Sequence, residues 1–144
     1  MEKSAWLKSP YATSEVKDPD RAIEALLGKY GVINIQTTSC NGPNGRSAYQ
    51  IRFQLKDRVY RIGMEVLDVR GVETRRLVRQ VKRAVYHFLK PALEFATIFA
   101  PLDQVLFGFV ETADGNTTYD VGKQFLHNLL PGRFYPPALP AHQE

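Results

Sequence analysis

Residues 49–64 read Tyr49-Gln50-Ile51-Arg52-Phe53-Gln54-Leu55-Lys56-Asp57-Arg58-Val59-Tyr60-Arg61-Ile62-Gly63-Met64, and their alternation decides the fold class. Successive side chains on a strand point to opposite faces. Tyr49, Ile51, Phe53 and Leu55 therefore share one face, and Tyr60, Ile62 and Met64 join it after a tight turn near Lys56-Asp57-Arg58. The pair reads as a hairpin with one buried side. Its other face carries Gln50, Arg52, Gln54 and Arg61. A two-residue turn at Lys56-Asp57 pairs residue 55 with 58 and sets Arg52 opposite Arg61, whereas a turn at Asp57-Arg58 sets Arg61 opposite Gln54. The first register opposes like charges, which is unfavourable unless an acid or an anion sits between them.

A half-buried hairpin needs a cover, and the chain supplies one downstream. From Val72 toward Lys90, at about 100° per residue, Leu77, Val78, Val81, Ala84, Val85, Phe88 and Leu89 fall in one arc. Arg75, Arg79, Lys82, Arg83, Tyr86 and Lys90 fall in the opposite one. Pro91 lacks an amide hydrogen and biases Lys90 away from helix, so a break or kink is expected there. A second helical piece, from Ala92 to about Ala100, is expected to bury Leu93, Phe95, Ile98 and Phe99 and to pack centrally.

Upstream, Asp18 can cap a first helix with Pro19 in its first position, and Ile23, Leu26, Leu27 and Tyr30 give it an apolar stripe. Gly31 can end it in a left-handed conformation. The β-branched run from Val32 to Thr38 reads as a strand, closed by the turn-rich stretch from Ser39 to Gly45. Past Pro101, the run Val105-Leu106-Phe107-Gly108-Phe109-Val110 reads as a further strand with Asp114-Gly115 as its turn, and Asp120 as the cap of a last short helix through Val121, Phe125, Leu126 and Leu129. The fold class that follows is α+β, a small mostly antiparallel sheet packed against a long amphipathic basic helix that kinks or breaks near Pro91. Residues 1–17 read as an extended arm in which Trp6, Leu7 and Tyr11 can dock, residues 18–130 as one α+β domain, and residues 131–144, with Pro136, Pro137 and Pro140, as an extended tail.

Composition excludes more than it selects. A chain of 144 residues that is 44% hydrophobic and 24% charged can build one core without metals or disulfides. Its single cysteine, Cys40, closes no intrachain disulfide, and no apolar run reads as a secretory signal or approaches the roughly 18 residues that span a bilayer. A cytoplasmic protein with no membrane partner is expected. His87, His127 and His142 have no cysteine, histidine or carboxylate at ligand spacing, so no metal site is assigned. Gly42-Pro43-Asn44-Gly45 lacks the Lys-Ser/Thr of a phosphate-binding loop and lies between strands, so no nucleotide cofactor, and no cofactor of another kind, is assigned. No pair of acids is placed for proton transfer and Cys40 has no nameable base, so the chain reads as a non-enzyme with no catalytic residue.

Charge is unevenly spread over a mild net +4. Between Arg46 and Lys90 stand 12 of the 19 Lys and Arg against four of the 15 acids, a local +8 that leaves −4 for the remainder. Arg predominates on the outer face of the long helix, its planar fork suits phosphate oxygens, and Tyr86 in the middle can stack on an exposed base. Arg75, Arg79, Lys82, Arg83, Tyr86 and Lys90, joined by Arg52 and Arg61 from the hairpin, are the candidate nucleic-acid-binding residues, with strandedness and oligomeric state open. The alternative is a protein-interaction module, an inhibitor or assembly subunit, whose basic face meets an acidic protein partner.

The segments Ile23-Glu24-Ala25-Leu26-Leu27-Gly28-Lys29-Tyr30-Gly31, Val59-Tyr60-Arg61-Ile62 and the run from Arg79 to Lys90, with Asp114-Gly115 behind a strand, resemble short uncharacterised proteins of bacterial phage and mobile elements. The resemblance implies a context, an accessory factor acting around foreign or mobile DNA, and no catalytic residue.

Overall fold

The computed structural model describes residues 11, 16–41, 47–66, 70–129 and 132. The expectations for Trp6, Leu7, the loop Gly42-Pro43-Asn44-Gly45, the Cys40 and His127 side chains, His142 and the prolines of the tail lie outside them.

The hairpin forms as its alternation requires. Strands β1 (Ile33–Asn41), β2 (Ser47–Leu55) and β3 (Arg58–Val66) make an antiparallel sheet in the order β1-β2-β3. Leu55 pairs with Arg58 and Arg52 with Arg61, so the turn is the two-residue one at Lys56-Asp57. Tyr49, Ile51, Phe53, Tyr60 and Ile62 are at most 2% exposed. Side chains of that size contribute roughly 1.5–3 kcal/mol each when buried, and a one-residue slip would exchange all of them for the polar face. Phe53 and Tyr60, directly opposed, also stack with ring centroids 5.2 Å apart.

Two helices cover this apolar face. Helix α1 (Pro19–Lys29) starts where Asp18 accepts a hydrogen bond from the Arg21 amide at 3.3 Å, with Pro19 in its first position. Beyond its end, Gly31 takes φ +76°, a conformation costly to a residue with a Cβ. Helix α2 (Thr74–Ile98) buries Leu77, Gln80, Val81, Val85, Leu89, Ala92 and Leu93. This is largely the arc that its periodicity defines, except that Phe88 is 42% exposed and Gln80 is inside.

Of the break or kink expected at Pro91, the break is absent: helical structure runs on to Ile98 as one 25-residue element. Proline removes one amide donor from the ladder, and the burial of Leu89, Ala92 and Leu93 on either side of it holds the register. Three further expectations are corrected. The last turns do not pack centrally, since Phe95, Ile98 and Phe99 are 50%, 74% and 70% exposed. A three-stranded sheet is too small to underlie 25 residues of helix, so α2 overhangs it. The run from Val105 to Val110 is not a strand. Leu102–Val105 form a helical turn, α3, and Phe107–Phe109 a 3-10 turn. Leu102, Leu106 and Val110 are buried at a spacing of four while Phe107 is exposed, which is helical rather than strand periodicity.

Val110 and Glu111 keep strand character, bridging Tyr60 and Thr117 respectively. The Glu111 amide donates to the Val59 carbonyl at 2.7 Å, so this short stretch closes part of the outer edge of β3. The turn at Asp114-Gly115 is present, with Gly115 at φ +87°. Helix α4 (Thr118–Gly122) is capped by Thr117, and Asp120 is the reciprocal third-position partner rather than the cap. A 3-10 turn (Lys123–Phe125) and α5 (Leu126–Leu129) follow, and Val121, Phe125, Leu126 and Leu129 are exposed.

Two stability predictions come from this packing. Lys56 holds φ +56° at the first turn position, where an L side chain costs about 1–2 kcal/mol. Lys56→Gly is expected to stabilise by about 0.5–1 kcal/mol after its own entropic cost, and Lys56→Val to destabilise by at least about 1 kcal/mol, read by urea unfolding. The Tyr49 hydroxyl is buried, has no hydrogen-bond partner among the described residues, and is pushed up to about 12, first by burial and then by Asp20. Tyr49→Phe is therefore expected to leave stability unchanged or to raise it by up to about 1 kcal/mol; a clear loss in urea unfolding would mean that the hydroxyl has a partner.

Candidate nucleic-acid interface

The eight candidate residues divide into three groups. Arg75, Arg79 and Lys90 are exposed on the outer face of α2, and Arg76 stands beside them. Among the described residues, none of these four has a carboxylate within ion-pair distance. Arg75 and Arg79, one turn apart, border two open grooves. One, of about 540 Å³, is lined by Lys17, Asp18, Pro19, Asp20, Thr74, Arg75, Val78, Arg79 and Lys82. The other, of about 330 Å³, is lined by Glu73, Arg75, Arg76, Arg79, Gln80 and Arg83.

The acids in the first groove are already engaged. Asp18 caps α1, and Asp20 holds Lys82, with Nζ to Oδ2 at 3.0 Å. In the second groove Glu73 is the residue at the start of α2, and its side chain makes no capping bond. The first turn of α2 contains no acid. Helix N-termini carry a partial positive charge and favour acids there; this one carries Arg75 and Arg76 and, a turn on, Arg79. The arrangement is unfavourable in the isolated chain and becomes favourable when an anion lies across it.

A second group is drawn inward. Lys82 extends over the Tyr49 ring, 5.6 Å from its centroid, to reach Asp20. Arg83 donates from Nε to the Val16 carbonyl at 2.8 Å and from Nη1 to that of Tyr11 at 3.4 Å, so it ties the arm to α2. Tyr11 does dock, its ring 5.8 Å from that of His87. Tyr86 is half-buried, packs against the core and meets His87 edge-on at 5.3 Å. It flanks the core rather than standing clear of it.

The third group, Arg52 and Arg61, is on the opposite side of the sheet from α2. Their opposition across the hairpin is relieved by an acid that sequence reasoning did not pair with them. Glu111 accepts from Arg52 Nε at 2.7 Å and from Nη2 at 3.0 Å, a bidentate pair. The Arg52 hydrogen bonds are the main cause holding the Glu111 carboxyl below its ordinary range, and Arg61 adds to them. Arg61 itself has no ion pair among the described residues and lines a groove with Gln50, Gly63, Gly108, Phe109, Thr117, Tyr119 and Asp120. Glu111 could have been suspected only by asking which acid returns to β3, and its sequence distance of 59 residues from Arg52 hides that.

Among the described residues, no helix is long and apolar enough to cross a membrane, and no cluster of His, Cys, Asp and Glu could hold a metal ion. Comparison of the chain with protein-family models, with curated proteins and with solved structures finds no match.

The depressed pKa of Glu111 fixes a sign for pH dependence. A carboxyl bound more tightly as the anion in the folded state adds stability above its unfolded pKa and loses it as pH falls through the folded value. Wild-type stability should therefore fall on acidification below about pH 4. Glu111→Gln is expected to be less stable than wild type at pH 7 and to converge with it at pH 2, in thermal melts. A constant difference across that range would show that the pair carries no charge-dependent stability.

Proposed function

We propose that this is a non-enzymatic nucleic-acid-binding accessory protein that grips phosphates with the N-terminal half of α2. The observation that carries the reading is the trio Arg75, Arg76 and Arg79, exposed at the positive end of a long helix with no paired carboxylate among the described residues. Lys90 lies on the same face about 17 Å from Arg79 along the axis, from 1.5 Å per residue, and can meet the same backbone further on. Lys82 and Arg83 serve mainly to fix α1 and the arm against α2, so their removal is costly to the fold. Contacts to phosphate oxygens carry no sequence information, and binding is of modest specificity. The cytoplasm, and the phage or mobile-element context that the resemblance implies, are consistent settings for such a factor.

An acidic protein partner is the second reading, and one observation favours it. Phe95, Ile98 and Phe99 are exposed at the far end of the same helix, where a phosphate backbone has no use for them. A protein could engage both ends.

Salt dependence separates the two. For a duplex, log affinity should fall linearly with log salt, and Arg75→Ala and Arg79→Ala should each flatten the slope by about 0.9 while weakening all sequences alike. The same variants should melt no lower than wild type, because they relieve charge at the positive end of α2. Absence of salt-sensitive binding to single- and double-stranded DNA and RNA would leave the acidic-partner reading.

A further inference from the structure

The open face of the sheet holds a further groove, separate from the arginines of α2. Its floor is Gln50 on β2 and Gly63 on β3, which pair directly, and its wall is the segment from Gly108 to Asp120. The groove measures about 570 Å³, inside the range of roughly 300–1,000 Å³ usual for small-ligand sites.

Gly63 is the first sign that something approaches here. Glycine in a strand interior weakens it and marks a position where a ligand or another backbone comes close, unless the backbone itself requires it. The backbone of Gly63 does not, for its φ is not positive. A methyl group placed on it would meet only the Gln50 side chain, at 3.9 Å. The space above Gly63 is thus open and unneeded by the fold.

The lining is the second sign. Arg61 is the one cation of the groove and has no ion pair among the described residues. The acid beside it, Asp120, is turned into the α4 cap, where it accepts from Thr117 Oγ1 at 2.9 Å. The Gln50 amide and the Tyr119 hydroxyl make no hydrogen bond among the described residues, and Tyr119 is 58% exposed. A guanidinium outside any ion pair, though close enough to Glu111 and Asp120 to favour their charged forms, an amide without a hydrogen bond and an available aromatic face are what a nucleotide needs, the first for its phosphate, the second for the polar edge of its base, the third for stacking.

The geometry points to a nucleotide site in this groove, with the base against Tyr119 and over Gly63, its edge read by Gln50, and its phosphate on Arg61. It deepens the nucleic-acid reading by adding a place for an unpaired base, which a duplex cannot offer without flipping one out. The site does not depend on Arg75 or Arg79.

The test is calorimetric titration of the full chain with AMP, with UMP and with a single-stranded decanucleotide, against Arg61→Ala, Tyr119→Ala and Gly63→Val. Each variant should lose on the order of tenfold in affinity. Gly63→Val is the decisive one, because a β-branched residue suits the strand and should melt no lower than wild type while filling the groove. In the Arg75→Ala/Arg79→Ala background, tighter binding of the oligonucleotide than of the mononucleotides assigns the site to a strand, and equal binding assigns it to a free nucleotide. No titratable binding of any of the three probes, or binding that Gly63→Val and Arg61→Ala leave intact, would overturn the proposal. An Arg75→Ala/Arg79→Ala variant should lose duplex binding and keep binding AMP, so failure at one site is distinguishable from failure at the other.

Discussion

Arg52 and Arg61 face each other across the β2–β3 hairpin, and the structure is arranged around making that tolerable. The register that opposes them is not free to change. It is the same register that puts Tyr49, Ile51, Phe53, Tyr60 and Ile62 into the core, and no gain on the polar face offsets the exposure of five large apolar side chains. A carboxylate must therefore come to the arginines. Glu111 does so from a stretch that also donates its amide to β3, so one residue neutralises Arg52 and closes part of the sheet's edge. Docking at this point brings the segment that follows, with Thr117, Tyr119 and Asp120, to the open face of the sheet.

Helix α2 carries the opposite kind of imbalance. Its middle is well matched to the sheet, but both ends exceed what the sheet and α1 can satisfy. The N-terminal turns hold three arginines where the helix itself is already positive, and the C-terminal turns hold three large apolar residues beyond the sheet. Engaged cations behave differently. Lys82 and Arg83 are adjacent to the trio in sequence, yet each is held by α1 or the arm.

What was legible in the sequence was what local physics decides. The hairpin, the Asp18 cap with Pro19 behind it, the left-handed Gly31 and the buried arc of α2 each follow from a spacing of a few residues. Features that depend on long-range supply were not legible. The overhang of Phe95, Ile98 and Phe99 depends on how many strands the sheet has, which no pattern in residues 92–100 encodes. The run from Val105 to Val110 misled because its β-branched and aromatic content resembles a strand, while the spacing of Leu102, Leu106 and Val110 was helical. Among the candidate cations the basic arc was visible, but which members would be consumed was not. That is decided by Asp20, Glu111 and the carbonyls of Val16 and Tyr11, all more than 50 residues away in sequence from the side chains they hold.

The two groups of uncommitted arginine differ in what they can recognise, and the difference is one of surroundings rather than of charge. Arg75, Arg76 and Arg79 stand on the outer face of a helix, bordered by open grooves and other cations. A guanidinium there meets an anion largely in water, and selects for charge and for extended length. Arg61 lines a groove beside an aromatic ring and an amide, with its neighbours Arg52 and Asp120 already satisfied. A guanidinium in that setting contributes little long-range attraction, because the local charge is balanced. It acts at contact distance and selects for shape. On the proposed reading, the attraction of a polyanion and the inspection of a single nucleotide fall on the two sides of a three-stranded sheet.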